Sequence, residues 1–185
     1  MNKRLPFFVL ILFALFAFPV QTQTQKQEVY RVNTAGVQTY AKADFSKMHF
    51  ARVIRHIDGD TVHIEFEEIP PEPLKKIEKI RMIGVDTPET VHPKRDVEFF
   101  GKEASEQTKK ALFGKRVAIA LDWDTRDRYG RLLAYIYTAP GRCHNAELIA
   151  QGYGHAYTRF PFQFLEEFRA LEKEARKSKR GLWQR

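Results

Sequence analysis

Cysteine is almost absent from this sequence, since Cys143 is the only one among 185 residues. A single cysteine excludes an intramolecular disulfide, and its position far from the N-terminus excludes a lipid-modified cysteine behind an N-terminal apolar run. The sequence also lacks the His-Glu-x-x-His pattern and the paired Cys/His spacings that hold zinc. A domain without disulfides or zinc must be stabilised by its core, and 43% hydrophobic and 13% aromatic residues are enough for one.

A long membrane-spanning run is absent as well. Residues 5–20 are apolar and uncharged, but this segment is too short to cross a bilayer comfortably. Because Lys3 and Arg4 precede it, residues 1–25 are predicted to be a secretory signal peptide, and the protein is predicted to be exported, either secreted or periplasmic. No clear small-x-small cleavage site follows, so an uncleaved membrane anchor stays the alternative.

The rest of the chain divides into two parts. Residues 26–46 are polar and weakly patterned, which indicates a linker or a flexible N-terminal arm. Regular patterns begin near His49, so residues 47–185 are predicted to form one folded domain. Nothing in the sequence indicates a stable protein partner, and a monomer is expected.

Acidic residues are outnumbered by basic ones. The chain has 31 Lys and Arg against 23 Asp and Glu, a net charge of +8 and a pI of about 9.6. Removal of residues 1–25, which hold two basic and no acidic side chains, leaves +6. This balance predicts a polyanionic partner, which is either nucleic acid or an anionic membrane surface.

Five segments after His49 are rich in β-branched residues or alternate between apolar and polar residues, as strands do. Asp58-Gly59 is a typical turn between the first two of them, which predicts a hairpin. Residues 122–130, between the fourth and the fifth, are predicted to be a charged loop. The predicted strands are residues 50–57, 62–66, 77–85, 117–121 and 132–138.

The apolar period changes to that of a helix in three places. Residues 97–113 form a predicted helix that stops at Gly114, and a short helix is predicted to start with Asn145 as its capping residue. A last helix, residues 161–179, carries an apolar stripe. Short strands with interspersed helices predict an α+β, mainly β, fold: a five-stranded Greek-key barrel of the oligonucleotide-binding (OB) type with about three helices.

Two pairs of carboxylates lie at the ends of predicted strands. Asp58 and Asp60 flank the hairpin turn, where aspartate is also common for purely conformational reasons. Asp86 and Glu89 follow the third strand, and antiparallel pairing can bring Asp60 and Asp86 together. Two carboxylates, a backbone carbonyl such as that of Thr87, and waters form the oxygen shell that Ca²⁺ accepts. The sequence therefore favours a calcium site over a zinc site.

Arg81 lies on the strand that leads to Asp86, five residues earlier. A straight strand would separate the two by about 16 Å and point their side chains to opposite faces. They share a site only if the strand bends between them, and Gly84 is the residue that bends most easily. Without that bend, Arg81 would be a solvent-facing arginine.

The segment 122–131 combines several cations with an aromatic residue and can be an ordinary solvated loop. In the functional alternative, Arg131 points at a phosphate, because a guanidinium donates two parallel hydrogen bonds to phosphate oxygens. Arg128 and Tyr129 would then contact the flanking phosphate or base, since a tyrosine ring can stack on bases.

Taken in order, these residues resemble the staphylococcal nuclease (thermonuclease) family. The resemblance runs from about His49 to Trp183. Each motif alone would be weak, whereas the ordered set is specific. It is carried by Asp58-Gly-Asp-Thr61, by Arg81 with Val-Asp86-Thr-Pro-Glu89-Thr90, and by Tyr129-Gly-Arg131 with Leu-Ala-Tyr135 shortly after.

The resemblance implies an OB barrel that cleaves DNA and RNA in a calcium-dependent endonuclease reaction and leaves 3′-phosphate products. In this family pattern, Glu89 positions or deprotonates the attacking water, while Arg81 and Arg131 hold the scissile phosphate. The implied calcium ligands are Asp60, Asp86 and the Thr87 carbonyl. The implied substrate-binding residues are Arg128, Tyr129, Arg95 and Tyr157.

Two other classes of protein remain as alternatives. The first is a non-catalytic OB-fold nucleic-acid-binding protein, since this fold also serves as a binding module. The second is a basic protein that binds anionic lipid through its C-terminal helix. Neither class needs the complete set of carboxylates and arginines that the chain carries, so both are disfavoured.

Overall fold

The computed structural model describes residues 31–34, 37–40, 48–90, 96, 98–139 and 142–184, the first two ranges as backbone only. The strands in these residues are β1 (Arg31–Thr34), β2 (Val37–Tyr40), β3 (His49–Asp58), β4 (Thr61–Phe66), β5 (Ile77–Met82), β6 (Val85–Asp86), β7 (Arg116–Arg126), β8 (Leu132–Ala139), β9 (Arg142–Cys143) and β10 (His155–Ala156). The helices are α1 (Gly101–Leu112), α2 (His144–Ala150) and α3 (Leu165–Lys177), followed by a 3₁₀ turn at Gly181–Gln184.

Five strands close into a barrel. Their order is β5-β4-β3-β7-β8 with antiparallel neighbours, and a parallel pairing of β5 with β8 joins the two edges. The short strands β6 and β10 pair with each other at one end, while β1 and β2 form a separate two-stranded sheet. The predicted five-stranded barrel with three helices is therefore confirmed.

The apolar core follows from alternation along the strands. On β4, Val62, Ile64 and Phe66 point inwards and are at most 1% exposed, because successive side chains of a strand face opposite sides. The stripe predicted for the last helix packs on this core through Phe168 and Leu171. The hairpin predicted at Asp58-Gly59 is also present, since Asp58 pairs with Thr61 across the turn.

The third predicted strand is interrupted. It does not run from residue 77 to residue 85, because β5 ends at Met82 and a turn at Ile83-Gly84 leads into β6. This turn is decisive for the site described below.

The prediction of a loop over residues 122–130 was wrong for its first half, because β7 continues to Arg126. Its pairing with β8 is interrupted there. Leu121 faces Ala134 and Arg126 faces Leu132, so four residues of β7 lie opposite one residue of β8 in a large bulge. A polar, bulged segment has no regular alternation, which explains why the sequence indicated a loop.

The prediction that Asn145 caps α2 was also wrong. Asn145 is the second residue of the helix, and its buried side chain binds the barrel backbone. It accepts a hydrogen bond from Ile136 N (3.0 Å) and donates to the carbonyls of Ile83 (3.0 Å) and Ala134 (3.1 Å). Asn145 therefore joins α2 to β8 and to the turn after β5.

The N-terminal predictions concern a different part of the chain. The proposed signal peptide, residues 1–25, lies outside the described residues, and β1 and β2 fall within the predicted arm, residues 26–46. In the part of the chain that the structure describes, none of the helices is long and apolar enough to span a bilayer.

Candidate active site

The site is built on the bend between β5 and β6. Gly84 has a φ of +71°, in the left-handed region that favours glycine, and a Cβ atom there would lie 2.7 Å from ring atoms of Phe162 and Phe168. The bend brings Arg81 Nη2 to 2.7 Å from Asp86 Oδ1, although the two residues are five positions apart. The bend that the sequence argument required is therefore present.

Arg81 is largely buried, with 14% of its side chain exposed, and is surrounded by acceptors. Its Nη1 lies 3.0 Å from Asp60 Oδ2 and donates to the carbonyls of Val85 (2.6 Å) and Met82 (3.2 Å). Carboxylates on both sides offset the cost of burying the guanidinium, which is thereby held in one orientation.

The hairpin turn supplies Asp60. Its Oδ2 accepts hydrogen bonds from the backbone N (3.1 Å) and Oγ1 (3.2 Å) of Thr87, and its Oδ1 accepts one from Thr61 Oγ1 (2.9 Å). Thr87 approaches the turn closely because Gly59 has no side chain, since a Cβ atom there would lie 2.6 Å from Thr87 Oγ1. These contacts hold Asp60 and Thr87 together at one end of the barrel.

Two carboxyl groups of the site, Asp86 and Asp58, have raised pKa values. Burial raises the pKa of Asp86; the positive charge of Arg81 opposes this rise, and the negative charge of Asp60 adds to it. Burial also raises the pKa of Asp58, although hydrogen bonds from Thr90 Oγ1 (2.6 Å) and a backbone N–H oppose it. A bound cation relieves this kind of crowding by stabilising the charged forms.

The oxygen donors expected to bind calcium lie together. Asp60 and Asp86 both contact Arg81, Thr87 binds Asp60, and no described residue donates a hydrogen bond to the Thr87 carbonyl. Within the described ranges, no three His, Cys, Asp or Glu side chains are grouped so as to hold a metal ion. Two carboxylates and one carbonyl nevertheless fit a hard cation such as Ca²⁺, whose shell waters can complete.

Glu89 lies next to Asp58. Its Oε1 accepts a hydrogen bond from Thr90 N (3.1 Å), and its side chain shares a hydrogen bond with Asp58. Its backbone N donates to Glu98 Oε2 (3.1 Å), and Glu98 N donates to its carbonyl (3.0 Å). Glu89 is therefore firmly held beside Asp58 and does not line the cleft described next.

An open cleft of about 880 Å³ lies beside the bend. Its lining brings together several residues that are far apart in the sequence. The predicted site residues in this lining are Arg81, Asp86, Arg128, Tyr129, Arg131 and Tyr157. Asp60, Thr87 and Glu89 are not part of this lining, and Arg95 falls outside the described residues.

Arg131 is positioned by Asp127, a residue that the sequence argument missed. Asp127 Oδ2 accepts a hydrogen bond from Arg131 Nε (2.6 Å), and its Oδ1 accepts from the backbone N of Tyr129 and of Arg131, each at 2.9 Å. Burial works to raise the pKa of Asp127, but the hydrogen bonds and charge of Arg131 lower it on balance. The i, i+4 spacing of aspartate and arginine around a glycine turn was the available signal.

Arg128 and Tyr129 form a pair at the rim of the cleft. Arg128 Nη2 donates a hydrogen bond to the Tyr129 hydroxyl (2.6 Å), and its guanidinium lies 4.7 Å from the ring centre. Tyr157 also lines the cleft, and its backbone N donates a hydrogen bond to the Gly84 carbonyl (2.9 Å). The bend at Gly84 therefore also positions the backbone of Tyr157.

A closed OB barrel with carboxylates and arginines meeting at one cleft defines a class of protein built to engage phosphates. Comparison with known proteins agrees with this class. Residues 79–185 match the family model described as staphylococcal nuclease homologue. The chain belongs to the staphylococcal nuclease family.

Individual relatives cover most or all of the chain. The thermonuclease of Staphylococcus hyicus is 32% identical in an alignment of 186 residues that covers 99% of this chain and 99% of that protein. The thermonuclease of Staphylococcus intermedius is 38% identical over 137 residues, 72% of this chain and 75% of that one. Endonuclease YhcR of Bacillus subtilis (strain 168) is 35% identical over 140 residues, which are 71% of this chain but only 11% of that longer protein.

Proposed function

We propose that the protein is an exported, calcium-dependent endonuclease that hydrolyses phosphodiester bonds of DNA and RNA and leaves 3′-phosphate ends. The observation that carries the proposal is the fixed guanidinium of Arg81 between Asp60 and Asp86, at a cleft that Arg131 also lines. Relatives named thermonuclease and endonuclease support the reaction class. Nucleic acid is the proposed partner, and the chain is proposed to act as a monomer.

Asp60, Asp86 and the Thr87 carbonyl would hold the Ca²⁺. When bound, the ion supplies Lewis-acid polarisation of a phosphate oxygen. The two carboxylates share their negative charge between this ion and Arg81, which keeps the guanidinium beside the position of the phosphate. The raised pKa of Asp86 makes calcium binding compete with protonation, so affinity for the ion decreases as the pH falls.

Arg81 and Arg131 provide positive charge that stabilises the negative charge on the equatorial phosphate oxygens during phosphodiester cleavage. Each guanidinium is oriented before substrate arrives, Arg81 by Asp60 and Asp86, and Arg131 by Asp127. Preorganised donors of this kind typically contribute about 10²–10³-fold each to kcat. The two guanidinium groups need little reorganisation on substrate binding because carboxylates already hold them.

Glu89 is the residue that we propose either accepts a proton from the attacking water or orients that water. To act there, its side chain leaves the Thr90 and Asp58 contacts and turns towards the phosphate. General-base assistance is typically worth about 10²–10⁴-fold in rate.

Turnover of a single-stranded DNA substrate tests the proposal, first with calcium and then with a chelator. Wild-type protein should cleave only with calcium, and Arg81→Lys, Arg131→Lys and Glu89→Gln should each lower kcat by about 10²-fold or more while circular dichroism stays unchanged. Arg116→Lys and Glu67→Gln are matched controls, because these two side chains pair with each other at an exposed site outside the cleft.

Near wild-type turnover in all three variants would refute the assigned site. Asp60→Asn should raise the calcium concentration needed for half-maximal activity, and an unchanged calcium titration would remove Asp60 from the ligand set. If the protein binds the single-stranded DNA tightly but does not cleave it in the presence of calcium, the alternative of a non-catalytic nucleic-acid-binding protein is favoured instead.

A further inference from the structure

Three basic side chains, Arg55, His63 and Lys79, lie side by side on the outer face of the barrel and form a basic row. Arg55 on β3 is paired in register with His63 on β4, and His63 is paired in register with Lys79 on β5. Neighbouring strands are about 4.8 Å apart, so the basic row is about 10 Å long. Arg55 and Lys79 are exposed and His63 is partly exposed. The basic row is therefore accessible to a large ligand.

A bulge in β3 brings Arg55 into the basic row. Val53 is paired with Ile64 on β4. The next pair joins Arg55 to His63, which leaves Ile54 as an extra residue on β3. In a regular strand, Ile54 would lie opposite His63 and Arg55 would point into the barrel. The bulge instead leaves Ile54 and Arg55 both exposed, so that a guanidinium lies beside His63.

The charges of the basic row are not balanced by acidic partners. Neither Arg55 nor Lys79 forms an ion pair with a carboxylate among the described residues. Burial lowers the pKa of His63, and the positive charges of Lys79 and Arg55 lower it further. Glu65, two residues after His63, lies opposite Arg52 instead. Because like charges side by side destabilise a sheet, the basic row lowers stability unless an anion binds to it.

The basic row leads to the proposed active site. Arg81 follows Lys79 by two residues on β5, so alternation places both side chains on the outer face, about 7 Å apart along the strand. Arg81 lines the cleft, whereas the residues of the basic row do not. The path from Arg81 to Arg55, at the far end of the basic row, is therefore about 16 Å long. It extends the positive surface beyond the position of the scissile phosphate.

We propose that Arg55, His63 and Lys79 form an exosite that binds phosphates of a nucleic-acid strand beyond the scissile bond. This inference rests on the proposed function and adds that the preferred substrate is a long strand. Phosphates of one strand follow each other at about 3.4 Å along the axis of a duplex, so a path of about 16 Å faces several of them. Contacts to phosphates carry no base information, so the exosite strengthens binding of long strands whatever their sequence.

The dependence of binding on strand length tests the exosite. The full chain would be titrated by fluorescence anisotropy with a labelled trinucleotide and with a single strand of about 16 nucleotides, both with hydrolysis-resistant phosphorothioate linkages. The titrations would be made with chelator and separately with calcium. In about 0.1 M salt, the double variant Arg55→Gln/Lys79→Gln should raise the Kd of the long strand about tenfold and that of the trinucleotide less than about twofold.

Two further double variants are the controls. Lys173→Gln/Lys177→Gln removes the same charge from exposed positions of α3, outside the cleft and the basic row, and should leave both Kd values unchanged. Arg55→Lys/Lys79→Arg keeps both charges in the basic row and should keep the affinity for the long strand, since phosphate binding here depends on charge.

Salt dependence gives a second readout. Each phosphate contact with a single strand contributes about 0.7 to the slope of log Kd against log salt concentration. Loss of two contacts in Arg55→Gln/Lys79→Gln should therefore reduce this slope by about 1.4 for the long strand. The control Lys173→Gln/Lys177→Gln should keep the wild-type slope.

The imidazole of His63 gives a local readout by NMR, with His63→Gln to assign its resonances. A phosphate bound between Arg55 and Lys79 adds negative charge beside His63, so the pKa of His63 should rise when the long strand binds. A pKa of His63 that is the same with and without the strand would contradict the contact.

An unchanged Kd of the long strand in Arg55→Gln/Lys79→Gln would overturn the inference. Equal losses of affinity for both lengths, or the same loss in the α3 control, would also overturn it, because the effect would then not come from phosphates at the basic row. If the variant instead loses only affinity for vesicles of phosphatidylglycerol, the basic row contacts a membrane and the inference is wrong.

These readouts do not depend on turnover. A protein without nuclease activity that still shows the length-selective loss would refute the proposed function alone. An active nuclease without the length-selective loss would refute the exosite alone.

Discussion

Replacement of Gly84 by alanine tests the bend that assembles the site. The substitution forces an L-residue into a left-handed conformation at φ +71°, which costs roughly 1–2 kcal/mol. The new methyl group also lies 2.7 Å from ring atoms of Phe162 and Phe168, and overpacking of this kind costs about 1–3 kcal/mol. Together these effects should lower the free energy of unfolding by about 2–5 kcal/mol, out of a typical total of about 5–15 kcal/mol.

Gly114→Ala is the matched control for Gly84→Ala. Gly114 has nearly the same φ, +73°, but a Cβ atom there meets nothing within 4 Å. It therefore carries the conformational penalty alone, and the difference between the two variants measures the steric effect. Urea unfolding followed by circular dichroism gives both free energies, and an unchanged m-value would show that the unfolded state is unaffected.

Equal destabilisation by Gly84→Ala and Gly114→Ala would refute the close packing of Phe162 and Phe168 against the bend. Turnover provides a second criterion. Because the bend sets the 2.7 Å contact between Arg81 and Asp86, the fraction of Gly84→Ala that stays folded should have a lower kcat than Gly114→Ala. Full activity would mean that the site tolerates a different strand path.

Three further predictions concern residues that support the site. Burial lowers the pKa of His144 from 6.5 to about 3, so the unfolded chain takes up a proton at a higher pH than the folded protein does. The free energy of unfolding should therefore be constant above about pH 6.5 and decrease towards pH 3 by up to about 1.4 kcal/mol per pH unit. Urea unfolding should find a smaller decrease in His144→Leu. Asn145→Ala removes three hydrogen bonds to buried backbone groups and should lower the unfolding free energy by about 2–4 kcal/mol, whereas a loss below about 1 kcal/mol would contradict the role of Asn145 in joining α2 to the barrel. Asp127→Asn removes the ion pair that orients Arg131 and should reduce kcat/KM by about tenfold, so wild-type kinetics would show that Arg131 needs no such support.

Several features of this protein follow from the sequence alone because they depend on local chemistry. Alternation along residues 62–66 and the Asp58-Gly59 turn specify a hairpin whatever surrounds them, and the apolar stripe of the last helix specifies its buried face. The expected residues of the site, by contrast, were listed from the resemblance of the ordered motifs to the staphylococcal nuclease family. Even the need for a bend near Gly84 followed from counting residues along a strand.

The tertiary structure decided which of these groups meet and how they are held. Barrel closure by the pairing of β5 with β8 brings the bend at Gly84 and the Asp127 turn to one cleft, a contact between distant segments that no local pattern encodes. Asparagine is a residue type that often caps helices, yet Asn145 is buried against the barrel and joins the helix to the barrel backbone. The bulge that exposes Trp123 arises where β7 must fit the shorter path of β8, so its sequence resembled a loop until the partner strand was known.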